Sequence, residues 1–291
     1  MSSRRRGNFG LLRNFRYYYP FWGGVVALLA SLLAGALVGF AIQYYLSEWL
    51  GAYTTLVSYV ALFVPAMCFA SSRSGQYEMV LDGYKLSSSH FRPVGASTAI
   101  AAAVLATIAA GFVLDPLMLL LPPMPDWLQK ALEELVKGNF LVNFLCVCVA
   151  APFFEEWLCR GMVLRGLLCN DVNPRVAIPV SAFFFALIHL NPWQALPAFV
   201  IGCLMGWVYF RTGSLYLTML MHFVNNGLAL MASRIPGLEN MTSWSEVMPT
   251  VVYVLVVVLA AVLLYGCIWI LSKIRLRAHW GNIDKVHSLF R

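Results

Sequence analysis

Long apolar runs, separated by short polar segments, form the dominant pattern along the chain. A helix crosses the apolar core of a bilayer with about 20 residues, and eight runs approach or exceed that length. They cover residues 22–47, 51–71, 94–121, 139–168, 176–190, 194–211, 213–233 and 248–272. The pattern predicts an all-α, polytopic membrane protein with about eight transmembrane helices.

Polar ends flank this membrane domain. Residues 1–21 form a basic leader, residues 22–272 the membrane domain and residues 273–291 a basic tail. Between the third and fourth runs, residues 126–138 place apolar side chains on one helix face, which predicts a short amphipathic helix at the membrane surface. This face consists of Trp127, Ala131, Leu132, Leu135 and Val136.

Composition and charge support the membrane interpretation. The chain is 60% hydrophobic and 11% charged, whereas soluble domains carry about 25% charged residues. With eight spans, 16 of the 20 Lys and Arg residues fall on one side, only Lys130, Lys137 and Arg234 fall on the other, and Arg160 lies within a span. Because cytoplasmic loops are rich in Lys and Arg, we expect both termini to be cytoplasmic, in a bacterial cytoplasmic membrane. The net charge of +7 then serves orientation and attraction to anionic lipid rather than nucleic-acid binding.

Ionisable residues inside the apolar runs are few. They are Asp115, Glu155, Glu156, Arg160, His189 and His222, with Asn225 and Asn226 as neutral polar neighbours. Asp115 stands before Pro116 near the outer end of its run, where we expect a structural role. For the others, a carboxylate at the bilayer centre costs roughly 2.5–3.5 kcal/mol, while hydrogen bonds between helices return only about 0.6–2 kcal/mol. We therefore interpret the remaining polar residues as a functional group enclosing an intramembrane polar cavity.

The two adjacent glutamates have different surroundings on a helix. Glu156 and Arg160 are four residues apart, on one face, where opposite charges pair. Glu155 is rotated by about 100° from Glu156, so it has no cation near it on its own helix. This spacing predicts a neutralised Glu156 and a reactive Glu155.

Helical spacing also relates two further pairs, Phe185 with His189 and His222 with Asn226. At 1.5 Å per residue, Glu155 lies about 20 Å, His189 about 21 Å and His222 about 16 Å from the cytoplasmic ends of their runs. These depths overlap, so all of these side chains are expected to line one cavity within the bilayer.

The three polar steps resemble the CPBP family of CAAX-prenyl proteases and bacteriocin-processing, abortive-infection-like intramembrane proteins. The family pattern is E-E-x-x-x-R, then F-x-x-x-H, then H-x-x-x-N on successive spans. Here the motifs read EEWLCR at 155–160, FALIH at 185–189 and HFVNN at 222–226, within a matching region of about 150–227.

The resemblance implies an eight-helix intramembrane endopeptidase that acts on a peptide or protein substrate, including lipidated or membrane-anchored ones, with no cofactor. By position, Glu155 and His189 correspond to the groups that activate water, and His222 and Asn226 to those that stabilise the oxyanion. The resemblance puts three supporting residues next to these four, namely Glu156, Arg160 and Phe185.

The chemistry also follows from the residue types. A carboxylate in a poorly solvated cavity is a stronger base than one in water, and a nearby His can carry the proton to the leaving amine. An Asn amide and an imidazole can donate to a tetrahedral oxyanion, where one donor contributes about 3–4 kcal/mol. The hypothesis is direct attack by water, without a covalent intermediate.

Several alternatives remain open at the level of sequence. Glu155, His189 and His222 supply the His₂Glu set of some zinc peptidases, although H-E-x-x-H is absent and Asn226 would then lack a role. Cys159 lies one turn from Glu155, but its helix carries no His to activate a thiol nucleophile. A scaffold without turnover could keep every motif, and a proton-coupled transporter would also use buried Glu and His, although no inverted repeat is present.

Overall fold

The computed structural model describes residues 21–74, 90–238 and 241–276, and the regular elements in these residues are all helical. The predicted basic leader, apart from Phe21, and the tail beyond residue 276 lie outside the described residues. The main helices are α1 (Trp22–Tyr45), α2 (Thr54–Ser74), α3 (Ala96–Met118), α4 (Asp126–Lys137), α5 (Phe140–Cys169), α6 (Pro174–Leu187), α7 (Pro192–Thr212), α8 (Leu215–Ala232) and α9 (Thr250–Ser272).

The prediction of a polytopic all-α membrane protein is confirmed. Seven helices of the described residues are long and apolar enough to cross a membrane, namely all of the main helices except α4 and α6. The apolar run at 176–190 forms α6, whose 14 residues reach only about 21 Å at 1.5 Å per residue. The amphipathic segment 126–138 forms α4, as predicted.

Hydrogen bonds join the ends of neighbouring helices at each of the two opposite faces of the bundle. On the first, which we call the basic face, the His90 amide donates to the Thr212 carbonyl at 3.0 Å and the Arg275 amide to the Arg92 carbonyl at 3.0 Å. The Arg211 guanidinium joins the end of α7 to the end of α9, because it donates to the carbonyls of Ser272 and Ile274.

The opposite face, which we call the α4 face, carries α4 and the turns around it. The Trp193 indole donates to the Pro122 carbonyl at 2.8 Å. Asp115, at the end of α3, is buried and accepts hydrogen bonds from the Ser243 hydroxyl at 2.6 Å and the Tyr253 hydroxyl at 2.9 Å. Asp115 thus has a structural role, as expected, because it ties α3 to α9 and to the loop between α8 and α9.

Local sequence signals explain where the central helices begin. Asn173 and Asn191 each precede a proline, and their side chains accept from the amides of Arg175 and Gln194 at 2.9 Å. An Asn N-cap followed by proline favours a helix start, because the proline lacks the amide hydrogen that would be left unpaired there. These two caps define the α6–α7 hairpin.

Small residues allow α1 to contact α2 at backbone distance. Gly35 and Gly39 are four residues apart on α1, a spacing that lets membrane helices approach closely. A Cβ atom at Gly35 would lie 1.9 Å from the carbonyl oxygen of Leu62, and one at Gly39 would lie 3.0 Å from that of Ser58. Tyr59 lies on α2 between Ser58 and Leu62, so the close contact at the two glycines sets the position of Tyr59.

Gly35→Ala is expected to destabilise the protein by about 1–3 kcal/mol, the usual cost of overpacking, because the new methyl group meets rigid backbone. The matched control is Gly266→Ala on α9, where a Cβ meets nothing within 4 Å. Thermal unfolding in detergent measures both variants. Equal melting temperatures for the two variants would contradict the close contact.

Candidate active site

A cavity of about 590 Å³ lies within the half of the bundle nearer the α4 face. Side chains from helices α2 to α8 and from the turn after α6 line it. The four predicted catalytic residues are among them, namely Glu155, His189, His222 and Asn226. The structure therefore brings together residues that the sequence separates by up to 71 positions.

Glu155 lies in the wall of this cavity and is 8% exposed. One carboxylate oxygen, Oε1, accepts a hydrogen bond from the Tyr59 hydroxyl on α2. The other, Oε2, lies 3.9 Å from Nε2 of His222 and has no hydrogen-bond partner among the described residues. A separation of this size exceeds a direct hydrogen bond and suits a bridging water.

Glu156 and Arg160 form the ion pair that their spacing predicted. The guanidinium Nη1 and the carboxylate Oε1 are 2.7 Å apart, and both side chains are 0% exposed. Arg160 also donates from Nη2 to the Gly202 carbonyl on α7 at 2.9 Å. The pair therefore links α5 to α7 in the centre of the bundle.

Glu156 has a second partner that sequence reasoning missed. Its Oε1 lies 3.2 Å from Nδ1 of His222 on α8. A carboxylate paired with Arg160 accepts hydrogen bonds, so Nδ1 of His222 carries the hydrogen between the two groups. Nε2, on the opposite edge of the ring, faces away from Glu156. Glu156 thus neutralises Arg160 and orients His222 at the same time.

His189 stands just beyond a helix, not on one. The spacing of Phe185 and His189 predicted that both lie on one helical face. This prediction is wrong for His189, because α6 ends at Leu187 and His189 lies in the following turn. The turn holds Leu190 at a left-handed φ of 56°, a conformation that costs a non-glycine residue about 1–2 kcal/mol. The Asn191 side chain stabilises the turn by donating to the His189 carbonyl at 2.8 Å.

The hydrogen of His189 is fixed in the same way as that of His222. Nδ1 of His189 lies 2.9 Å from the Phe185 carbonyl. Because a carbonyl oxygen only accepts, Nδ1 carries the hydrogen and Nε2 is the acceptor of the neutral ring. A histidine held in this state can take a proton from water.

The Phe185 ring lies between Arg160 and the two histidines. Its centroid is 5.2 Å from that of His189 and 5.3 Å from that of His222, both edge to face, and the Arg160 guanidinium lies 4.6 Å from it. A Cβ at Gly202 would approach the ring to 3.2 Å, so this glycine makes room for it. Phe185 supports both imidazoles from behind, in the region where the resemblance put it.

Asn226 is held by its neighbours on two helices. Its amide donates to the Val147 carbonyl on α5 at 2.9 Å, and its oxygen accepts from the Asn225 amide at 3.2 Å. A side-chain amide has two hydrogens, so this bond leaves one for a ligand in the cavity.

The helix that carries Glu155 is not a regular α-helix. Wide π-helical turns at Phe144–Ala150 and Trp157–Leu164 flank the α-helical segment Ala151–Glu156. Such turns are frequent at functional sites because they change the direction of side chains. No sequence pattern predicts these turns or the contact between Tyr59 and Glu155, since a tyrosine in an apolar run is ordinary.

The structure also bears on the two alternatives to activated water, a Cys159 nucleophile and a zinc site. Cys159 is fully buried within the hydrophobic core. In the part of the chain that the structure describes, no three His, Cys, Asp or Glu side chains are grouped so that they could hold a metal ion. The alternative zinc ligands Glu155, His189 and His222 all line the cavity.

The segment that carries the site is similar to a known protein family. Residues 137–228 match the family model described as type II CAAX prenyl endopeptidase Rce1-like. No curated protein and no solved structure matches the chain. All three motifs fall inside the matched segment, which confirms the resemblance that they predicted. At the level of this family, residues 137–228 indicate a CAAX-protease-like intramembrane endopeptidase within a multi-pass membrane protein.

Proposed function

We propose that the protein hydrolyses a peptide bond inside the membrane with a water molecule activated by Glu155 and His189. The observation that carries the proposal is the common cavity. Glu155, His189, His222 and Asn226 line it together, and one oxygen of Glu155 has no hydrogen-bond partner among the described residues. A base must lie within reach of the proton that it removes, and that oxygen lies 3.9 Å from Nε2 of His222, another residue that lines the cavity.

In the first step, Oε2 of Glu155 accepts a proton from water while the water oxygen attacks the scissile carbonyl. The Tyr59 hydroxyl holds the other carboxylate oxygen, so the carboxylate cannot rotate freely. Nε2 of His189 accepts hydrogen in the neutral ring, so His189 can share this proton and later deliver it to the leaving amine.

In the second step, His222 and Asn226 stabilise the negative oxygen of the tetrahedral intermediate. Asn226 donates with the amide hydrogen that Val147 does not use. His222 donates from Nε2 when both of its nitrogens carry hydrogens, while its Nδ1 remains bonded to Glu156. The intermediate collapses as the C–N bond breaks and the amine takes the proton, so no covalent enzyme intermediate forms.

The mechanism uses only groups of this chain, and we propose that it needs no metal. The zinc mechanism is the alternative, with Glu155, His189 and His222 as ligands. The Nδ1 contacts of both histidines fit either mechanism, because a metal-bound histidine also donates its other ring N–H to a carboxylate or a carbonyl. The metal-free mechanism is favoured because, among the described residues, no three His, Cys, Asp or Glu side chains are grouped closely enough to hold a metal ion. A scaffold or transporter function would leave the same residues in place without turnover, and a cleavage assay distinguishes these possibilities.

Purified protein in lipid, incubated with a peptide library and analysed by mass spectrometry, is expected to release cleaved products. Glu155→Gln should lower the rate by at least about 10², the contribution of a general base, with nearly unchanged stability. Its matched neighbour Glu156→Gln should lose about 3–5 kcal/mol of stability, because it leaves Arg160 buried without its countercharge. Cleavage by Glu155→Gln at the wild-type rate would contradict the role of Glu155, and no cleavage by the wild type would favour a scaffold or transporter.

Tyr59→Phe tests whether the tyrosine positions the base. Removing the hydroxyl should lower kcat by about tenfold, because a hydrogen bond to a charged group contributes about 1.5–3 kcal/mol, while KM and the melting temperature stay near wild type. Tyr265→Phe, at a well-exposed position of α9, is the matched control. A rise in KM or a loss of stability, with kcat unchanged, would show that Tyr59 only packs.

Chelation distinguishes activated water from zinc catalysis. Protein dialysed against a strong chelator is expected to keep its activity, and Asn226→Ala should lower kcat by about 10²–10³, the usual loss for one oxyanion donor. Substrate binding should change little. Loss of activity on chelation, with recovery on adding stoichiometric zinc, would make Glu155, His189 and His222 ligands and remove the oxyanion role of His222.

A further inference from the structure

We infer that the substrate enters the cavity from the α4 face, on the extracytoplasmic side of the membrane. The substrate class is then a peptide segment next to the outer membrane surface, such as part of an exported, membrane-anchored protein. This inference rests on the proposed function and adds the side of access. It follows from where the cavity lies along the helices, what fills the other half of the bundle, and the distribution of charge.

The helices contribute to the cavity with their ends or halves nearest the α4 face. Helix α2 begins at that face and contributes Thr55 and Tyr59, in its first two turns. Helix α3 ends there and contributes Met118 with its last residue, while α7 begins there with Trp193 in its first turn. Leu132 of the surface helix α4 also lines the cavity. The cavity is therefore continuous with the α4 face.

The half of the bundle nearer the basic face is packed with side chains. On α5, the residues that follow the glutamates are 0–2% exposed, namely Trp157, Leu158, Cys159, Arg160, Met162, Val163, Leu164, Leu167 and Leu168. At Gly206 of α7, a Cβ atom would lie 3.2 Å from Ile178 and 3.6 Å from Leu164, so α5, α6 and α7 are in contact there. Among the described residues, this packing closes the route from the basic face to Glu155.

The charge distribution orients the two faces. Among the described residues, three basic residues fall at the α4 face, namely Lys130, Lys137 and Arg234, and seven fall at the basic face, namely Arg73, Arg92, Arg165, Arg175, Arg211, Lys273 and Arg275. An excess of this kind in short loops marks the cytoplasmic side. The mouth of the cavity therefore faces away from the cytoplasm.

Apolar residues near the mouth indicate the kind of segment that approaches it. Leu120 lies two residues beyond Met118, the last lining residue of α3, and is 78% exposed. Leu190 follows His189 and is 83% exposed. Trp127 of α4 is also well exposed, and tryptophan side chains favour the membrane–water interface. Such a rim suits a substrate segment that lies along the outer surface of the bilayer. A segment on the cytoplasmic surface would meet the packed half of the bundle.

Side-specific thiol labelling tests this route without requiring cleavage. In a chain whose seven cysteines are replaced, single cysteines are introduced by Ala198→Cys and Ala229→Cys, which line the cavity. Leu190→Cys reports the mouth and Arg175→Cys the exposed start of α6 on the basic face. If the fully replaced chain does not fold, Cys148, Cys159 and Cys267, which are buried and do not line the cavity, are kept and their labelling is subtracted.

A small, charged, membrane-impermeant thiosulfonate is added to intact cells and to inside-out vesicles. Ala198→Cys, Ala229→Cys and Leu190→Cys are expected to react several-fold faster in intact cells, and Arg175→Cys several-fold faster in the vesicles. Cavity cysteines that react from the same side as Arg175→Cys would overturn the access route. Cavity and mouth cysteines that react together, but only in the vesicles, would overturn the extracytoplasmic substrate. Labelling as expected without any peptide cleavage would leave the access route standing and refute the proposed protease activity.

Discussion

The arrangement of this site depends on one buried carboxylate, that of Glu156. Charge inside an apolar medium is tolerated only when it is paired and hydrogen-bonded. Glu156 pairs with the Arg160 guanidinium and with the His222 ring at the same time. One oxygen contacts Arg160 at 2.7 Å and His222 at 3.2 Å. Since Arg160 also holds the Gly202 carbonyl, a single carboxylate joins α5, α7 and α8. The contacts that neutralise the charge of Arg160 thus also hold His222 in its position beside the cavity.

The bundle divides into a packed half and an open half, and Glu155 stands at the boundary. Below it, toward the basic face, α5 is surrounded by close-packed side chains. Above it, the helices separate enough to leave a cavity of about 590 Å³. Water that reaches Glu155 therefore meets protein groups on the far side, which gives the polar side chains a small, shielded volume in which electrostatic interactions are strong. The α1–α2 contact through Gly35 completes this wall, because it positions the helix that carries Tyr59.

The similarity to the Rce1-like family supports a CAAX-protease-like intramembrane endopeptidase at the level of the family. The matched segment, residues 137–228, includes the helices that carry the three motifs. Two of the supporting contacts reach beyond the motifs. Tyr59, outside the matched segment, holds Glu155, and Asn226 is anchored to the carbonyl of Val147 in a π-helical turn. Helices outside the three motifs therefore contribute to how the site is held.

The sequence by itself determined the all-α class, the approximate ends of the helices and the pairing of Glu156 with Arg160. It did so because a bilayer imposes a length on apolar runs and because burying Glu156 demands a neighbour such as Arg160 at helical spacing. The tertiary structure alone decided three things. Tyr59 meets Glu155 across 96 positions, His222 turns toward Glu156 across 66 positions, and His189 leaves its helix for a strained turn. Periodicity describes one helix at a time, whereas these contacts depend on the distances between helices, on π-helical turns and on where the short helix α6 ends.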